Sequence, residues 1–178
     1  MQKKIFSIFY ILIFFGCSQP PARKPVSISS GSYINQSLIL NKKIKDRDEK
    51  LIQNIIQKDT LNNYLNSGNG FWYFYTKKDS IQTPKPAFGD LVNFEYNIKN
   101  LNGSIIYNTD KFKNQNYRID KEELFFGMRE GLKLLQEGES ATFLFPSHVA
   151  FGFYGDLEKI SHNIPIISEV TVNSIFKN

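Results

Sequence analysis

Along residues 91–98 apolar and polar side chains alternate from Val92 onward: Val92, Phe94, Tyr96 and Ile98 fall on one side, Asn93, Glu95 and Asn97 on the other. A period of two is the signature of a strand with one buried face, because successive side chains point to opposite sides of a sheet. Such a strand needs pairing partners and an apolar layer to cover, and several segments can supply them. Residues 71–75 are five consecutive aromatics, a run of high strand propensity. Residues 104–107 follow the turn Asn100-Leu101-Asn102-Gly103, and residues 141–145 and 168–176 read as further strands, with Val170 and Val172 alternating with Thr171 and Asn173. Met128, Leu132 and Leu135, at i, i+4 and i+7, predict one short helix closed by Glu137-Gly138-Glu139. Strands that outnumber a single short helix predict an α+β fold with an antiparallel sheet.

The first third of the chain has a different texture. Residues 1–4 hold two lysines, residues 5–15 are apolar apart from Ser7, and Gly16 and Cys17 follow. A basic n-region before an apolar h-region describes a secretory signal peptide. The apolar run is too short to cross about 30 Å of hydrocarbon, which takes about 20 residues. Cys17 is the only cysteine, so a disulfide framework is excluded. Phe14-Phe15-Gly16-Cys17 resembles a bacterial lipobox. That resemblance implies a signal peptide over 1–16 and a Cys17 that is acylated and becomes the new N-terminus. Two or three acyl chains hold a protein on a lipid membrane because each buried CH₂ contributes about 0.8 kcal/mol. The expected location is the cell envelope, facing the periplasm from the outer membrane.

Residues 17–32, with three prolines, five serines and Gly31, cannot bury a core and read as a flexible tether. From 33 to about 65 there is neither Pro nor Gly. Ile44, Leu51, Ile52, Ile55 and Ile56 recur near a 3.6 period, while Lys42, Lys43, Lys45, Asp46, Arg47, Asp48, Glu49 and Lys50 fill the other faces. This predicts an amphipathic helix within a segment 33–67, stopped by Asn66-Ser67-Gly68-Asn69-Gly70. Its stripe serves either self-association or docking of a partner, or it packs on the domain that follows, 68–178.

Charge narrows the partners. The formal net charge of +5 comes from 22 basic and 17 acidic residues. Residues 1–67 carry 10 basic and 4 acidic groups, whereas residues 68–178 carry 12 and 13. A nearly neutral domain lacks the clustered Lys and Arg that phosphate binding needs, so no nucleic-acid partner is expected. There is also no HExxH, paired CxxC, GxSxG elbow or phosphate-cradling glycine loop. His148 and His162 have no carboxylate or cysteine at ligand spacing, so no metal or other cofactor is expected.

A more specific pattern runs through residues 70–178. Gly70-Phe71-Trp72-Tyr73, Thr83-Pro84-Lys85-Pro86-Ala87-Phe88-Gly89-Asp90-Leu91-Val92 and Phe94-Glu95-Tyr96 open it. Asn102-Gly103, Gly127 to Gly131 with Leu134-Leu135, and Glu137-Gly138-Glu139 with Ala141 continue it. Pro146 with Ala150-Phe151-Gly152, then Ile164-Pro165 with Val170 and Val172, close it. In this order the residues resemble the FKBP-type peptidyl-prolyl cis-trans isomerases. The resemblance implies an FKBP-like antiparallel sheet of five or six strands wrapped around one short α-helix. It also implies proline-containing polypeptides as clients. Ala22-Arg23-Lys24-Pro25-Val26, Ser29-Ser30-Gly31-Ser32, the lipobox cysteine and the charged helix resemble the FKBP-type lipoproteins associated with bacterial gliding motility.

By the same resemblance the catalytic set is Tyr96, Tyr107, Phe125 and Phe151, and the substrate-binding set is Tyr117, Met128, Ile164 and Val172. Three positions depart from the family pattern. Met128 stands where a tryptophan floor is common, Tyr107 where an aspartate is typical, and Phe151 where a tyrosine hydroxyl bonds the bound peptide. These departures favour, as the competing expectation, a binding or assembly module with weak or no catalysis.

Overall fold

The computed structural model describes residues 31–80 and 83–178. The expected signal peptide, Cys17 and most of the expected tether lie outside these residues. Helix α1 (Gly31–Lys58) comes first, followed by strands β1 (Leu65–Asn66), β2 (Trp72–Lys77), β3 (Leu91–Tyr96), β4 (Ile98–Asn100) and β5 (Ile105–Tyr107). A 3-10 turn at Thr109–Phe112 leads to β6 (Gln115–Arg118), helix α2 (Phe126–Leu132) and β7 (Ser140–Phe145). A second 3-10 turn at Ser147–Val149 opens a long excursion before β8 (Ile166–Phe176).

The strands form one antiparallel sheet in the order β1-β2-β7-β8-β3-β6, with β4 pairing both β5 and β8. The expected α+β, FKBP-like sheet is present, with eight strands where five or six were expected. One reason is that the alternating run 91–98 divides at Asn97. This residue is buried, not on the open side. Its side chain donates to Glu169 Oε2 at 2.6 Å and accepts the Glu169 N–H at 3.0 Å, while its carbonyl accepts the Ser168 hydroxyl at 2.7 Å.

Helix α1 ends earlier than the pattern suggested, at Lys58 instead of near 65. Asp59 supplies the reason. Its carboxylate accepts the N–H groups of Leu61 and Asn62 at 3.0 and 3.3 Å and the Tyr64 hydroxyl at 2.8 Å, a local alternative to helical hydrogen bonding. Residues 33–43 of α1 are exposed throughout. Further along, Ile52 and Asp48 are fully buried, and Ile44, Ile55 and Ile56 are half-buried. Asp48 therefore belongs to the packed stripe and not, as the pattern suggested, to a charged face. Residues Asn35–Asn178 make up one compact unit. Among the described residues, no helix is long and apolar enough to cross a membrane.

The sheet curls around α2, whose Met128 and Leu132 are fully buried. The helix can lie close because two glycines face the sheet. A Cβ at Gly127 would come 2.6 Å from the Phe145 ring, and one at Gly131 would come 3.1 Å from Phe143. Phe71, Phe143 and Phe145 pack edge-on and stacked at 5.1–5.9 Å between centroids. Their burial, with Val92, Phe94, Val170 and Val172, forms the core.

Asp90 ties the start of β3 to the chain's last residues. One carboxylate oxygen accepts the Ala87 N–H and Lys177 Nζ, both at 2.8 Å, and the other accepts the Asn178 N–H at 3.0 Å. Led by the Lys177 bond, these donors hold the Asp90 pKa down to about 2. A depressed carboxylate stabilises the fold above its unfolded pKa near 4, and that contribution disappears as pH falls through about 2. We predict that Asp90→Asn lowers stability at neutral pH and that its difference from wild type closes between about pH 4 and pH 2. Denaturant titrations at several pH values would show this. A pH-independent difference contradicts the role assigned to the carboxylate.

Candidate active site

A pocket of about 800 Å³ opens where β3, β5, the Thr109–Phe112 turn, the residues before and within α2, and the segment after the Ser147–Val149 turn converge. Aromatic rings form two of its walls. On one side Tyr96, from the buried face of β3, stacks on Phe112 at 4.3 Å with an angle of 6°, and Tyr107 meets Phe112 edge-on at 5.5 Å. On the other side Phe125, immediately before α2, lies 4.9 Å from Phe151 and packs edge-on against Phe145 at 5.5 Å. Leu124 and Ala150 add aliphatic surface. Burial pushes the Tyr96 pKa up to about 12, so its hydroxyl is neutral in the physiological range.

The polar side of the pocket is built around Tyr107. This residue is almost fully buried, and its hydroxyl donates a short hydrogen bond to Asp156 Oδ2, with Glu158 Oε2 3.1 Å away. A phenol has one proton, so Asp156 takes it and Glu158 is held instead by Lys111 Nζ at 2.8 Å. The same ammonium lies 3.9 Å from the centre of the Tyr107 ring. Burial, then the hydrogen bond to Asp156 and the negative charge of Glu158 nearby, keeps the Tyr107 hydroxyl protonated well above the usual tyrosine range. For Asp156, desolvation raises the pKa, but bonds from Tyr107 and from the N–H groups of Glu158, Lys159 and Ile160 outweigh it and leave the group below its ordinary value. The hydrogen bond from Lys111, and its charge, lower Glu158 as well.

Asp156 is aimed by the backbone before it. Gly155 has φ +68°, and a Cβ there would lie 2.0 Å from the Ile160 carbonyl oxygen, so only glycine fits this turn. Asp156 Oδ1 then accepts the N–H groups of Glu158, Lys159 and Ile160 at 2.7–2.9 Å, which leaves Oδ2 for Tyr107.

Arg129 also lines the pocket, with its guanidinium 5.8 Å from the centre of the Phe126 ring. Its Nε is buried and has no hydrogen-bond partner among the described residues. An unsatisfied buried donor is uncommon and costs about 1–3 kcal/mol.

The structure thus brings Tyr96, Tyr107, Phe125 and Phe151 around one cavity. Tyr117, Met128 and Val172 lie in the core and do not line it, and Ile164 is half-buried against the core outside the pocket wall. Sequence reasoning missed Lys111, Phe112, Arg129, Asp156 and Glu158. The signal for Asp156 was local: an aspartate directly after a glycine, with residues 157–160 following as a turn. The others carry no motif, because their roles depend on which loops meet.

Comparison with known proteins agrees with this architecture. The model of the FKBP-type peptidyl-prolyl cis-trans isomerase family matches residues 82–173, just over half of the chain. A probable FKBP-type peptidyl-prolyl cis-trans isomerase FkpA of Neisseria meningitidis serogroup B is 26% identical over 131 residues, covering 74% of this chain and 46% of that protein. The chain thus spans about half the length of that relative. A peptidyl-prolyl cis-trans isomerase from Pseudomonas syringae pv. tomato, known from a crystal structure, superposes with a TM-score of 0.61 at 17% identity, over 76% of this chain and 96% of that one. At that identity the likeness concerns the fold alone. Motif order, sheet topology and the family match agree, and the chain belongs to the FKBP-type peptidyl-prolyl cis-trans isomerase family.

Proposed function

We propose that the chain catalyses cis–trans isomerisation of Xaa-Pro bonds in exported polypeptides while held on a membrane through acylated Cys17. The observation that carries the catalytic part is the pocket: a cavity of about 800 Å³ with aromatic walls on two sides and a fixed polar set on a third. Small-molecule pockets usually measure about 300–1,000 Å³ and are mostly apolar with few oriented polar groups.

The barrier to rotation, about 18–20 kcal/mol, comes from amide resonance, which places negative charge on oxygen and positive charge on nitrogen. Water stabilises that separation. A proline ring seated between Tyr96–Phe112 and Phe125–Phe151 gives up this hydration. The planar ground state then loses more than the twisted state, in which resonance is broken. No proton transfer is needed. Phe151 has no hydroxyl to offer a client carbonyl, and the proton of Tyr107 is committed to Asp156. The Tyr96 hydroxyl and the Arg129 guanidinium also line the cavity, and these donors hold the carbonyl oxygen of the client as the bond turns.

A second reading, a module that binds prolyl peptides without turning them over, draws on that commitment of Tyr107. Exchange NMR on an Xaa-Pro peptide separates the two. We expect turnover above buffer for the full chain. Phe125→Ala should lower kcat/KM by about tenfold or more, because a buried phenyl contributes about 1.5–3 kcal/mol. Arg129→Met should lower it about tenfold, the value of a charged hydrogen bond of about 1.5 kcal/mol. Turnover no faster than buffer overturns the isomerase reading.

The anchoring part rests on the lipobox and on the basic excess of residues 1–67. Clients on this reading are envelope polypeptides, gliding-motility components among them. Cys17→Ala should abolish acyl labelling and move the protein from the membrane to the soluble fraction. Unchanged membrane retention contradicts lipidation.

A further inference from the structure

Two residues of α1, outside the span matched by the family model, grip the segment that carries one wall of the pocket. Asp48 is completely buried, and its Oδ2 accepts both the backbone N–H of Ser147 at 2.9 Å and the Ser147 hydroxyl at 2.5 Å. Its Oδ1 accepts Arg47 Nε and Nη2 at 2.9 and 2.6 Å, and Nη2 also donates to the Asn163 carbonyl at 2.6 Å. Between these anchors the segment closes on itself. The Gly152 N–H donates to the Ser147 carbonyl at 2.8 Å, and the Asn163 N–H donates to the Gly152 carbonyl at 2.7 Å. The bonds therefore form one circuit: Asp48, Ser147, Gly152, Asn163, Arg47 and back to Asp48. Phe151 adjoins Gly152 in that circuit, and Asp156 lies in the stretch it encloses. Asn163 adopts φ +58° where it meets Arg47, a left-handed conformation that asparagine tolerates better than most residues.

An apolar side chain at position 48 would fill the same stripe between Ile44 and Ile52. An ion pair with one buried partner is weak evidence for added stability, and fixing one arrangement among several is the better-attested use of buried charges. A carboxylate with all four bonds made has one orientation, and it transmits that orientation to both ends of the segment.

We propose that Arg47 and Asp48 are positioning residues for the proline pocket, holding Ser147 and Asn163 so that Phe151 and Asp156 stay set against Phe125 and Tyr107. The proposal rests on the isomerase reading above. Its test uses the full chain in mild detergent, with Asp48→Asn, the milder Arg47→Met at a half-exposed position, and Lys42→Gln as a charge control on the exposed part of α1. Amide exchange of peptides covering 147–163, thermal melting, and kcat and KM on an Xaa-Pro peptide well below the melting temperature are read together. We expect exchange of 147–163 to rise about tenfold while β3 and β8 are unchanged, and KM to rise about fivefold to tenfold with kcat within about twofold, the pattern of lost ground-state and transition-state binding alike. Lys42→Gln should match wild type.

If Asp48→Asn does not fold, Arg47→Met decides. Unchanged exchange across 147–163 in the folded variants overturns the proposal while leaving the isomerase reading intact. A lowered melting temperature with KM and kcat unchanged also overturns it, since the pair would then be merely structural. Wild-type protein without turnover sinks the isomerase reading alone. The pair is then judged by the affinity of the same peptide, expected to weaken about tenfold in Asp48→Asn. Absence of both turnover and binding in wild type overturns both.

Discussion

How closely α2 can approach β7 governs where the pocket forms. Side chains on a helix normally hold it about 10 Å from a sheet, but Gly127 and Gly131 leave nothing between the α2 backbone and the Phe143 and Phe145 rings. Once the helix is that close, Met128 and Leu132 are enclosed in the core. Phe125, one residue before the first helical turn, is left against Phe145 and facing Phe151. A larger residue at 127 would push α2 outward and carry Phe125 with it, so the aromatic wall is a consequence of a glycine two residues away. Methionine at 128 suits a site that is packed on all sides, since its flexible thioether fills irregular space.

The opposite rim follows a different logic, because there the constraint is electrostatic. Tyr107 projects a hydroxyl from β5 into a region that also receives Asp156 and Glu158, and two carboxylates that close would repel without a proton and a cation between them. The phenol supplies the proton and Lys111 the cation, each committed to a different carboxylate. The family resemblance places an aspartate at position 107. Here the carboxylate comes from a residue 49 positions later in the chain and reaches the pocket through the tyrosine. The negative charge is retained but moved back by the length of a phenol, which leaves the cavity wall less polar than a carboxylate on β5 would make it.

What could be read from the sequence divides along the same line between local and long-range physics. The run 91–98 announced a strand because period-two burial is a property of neighbouring residues, and Val92, Phe94 and Tyr96 are buried as that pattern requires. The end of α1 is not legible locally, because the glycine cluster at 68–70 carries the plainer stop signal while Asp59 offers the backbone an earlier alternative. The sequence pattern puts Asn97 and Asp48 on open faces, because polar residues usually are exposed. Both are buried with their hydrogen bonds made by residues 72 and 99 positions away. Motif order suffices to single out Tyr96, Tyr107, Phe125 and Phe151, which the fold gathers around one cavity, whereas Lys111, Arg129 and Glu158 depend on how loops converge, which no local pattern records. Asp48 did leave one trace: it lies four residues after Ile44 and four before Ile52, so the stripe that predicts burial also runs through it.

That trace bears on where the functional unit begins. The family match opens at residue 82, yet the compact unit opens at Asn35, and α1 contributes two fully buried side chains to it. Ile52 contributes packing alone, which a hydrophobic residue of similar size could supply. Asp48 differs, because a buried carboxylate is tolerated only where its partners are in place. Ser147 and Asn163, which it reaches directly and through Arg47, bracket the segment that bears Phe151 and Asp156. Any movement of this segment away from the pocket has to break bonds to a buried charge. The sheet itself exerts no such hold between β7 and β8, since the residues between them leave the ladder. The helix takes over where strand pairing stops, and the boundary drawn by sequence similarity therefore cuts through a structure that is mechanically continuous.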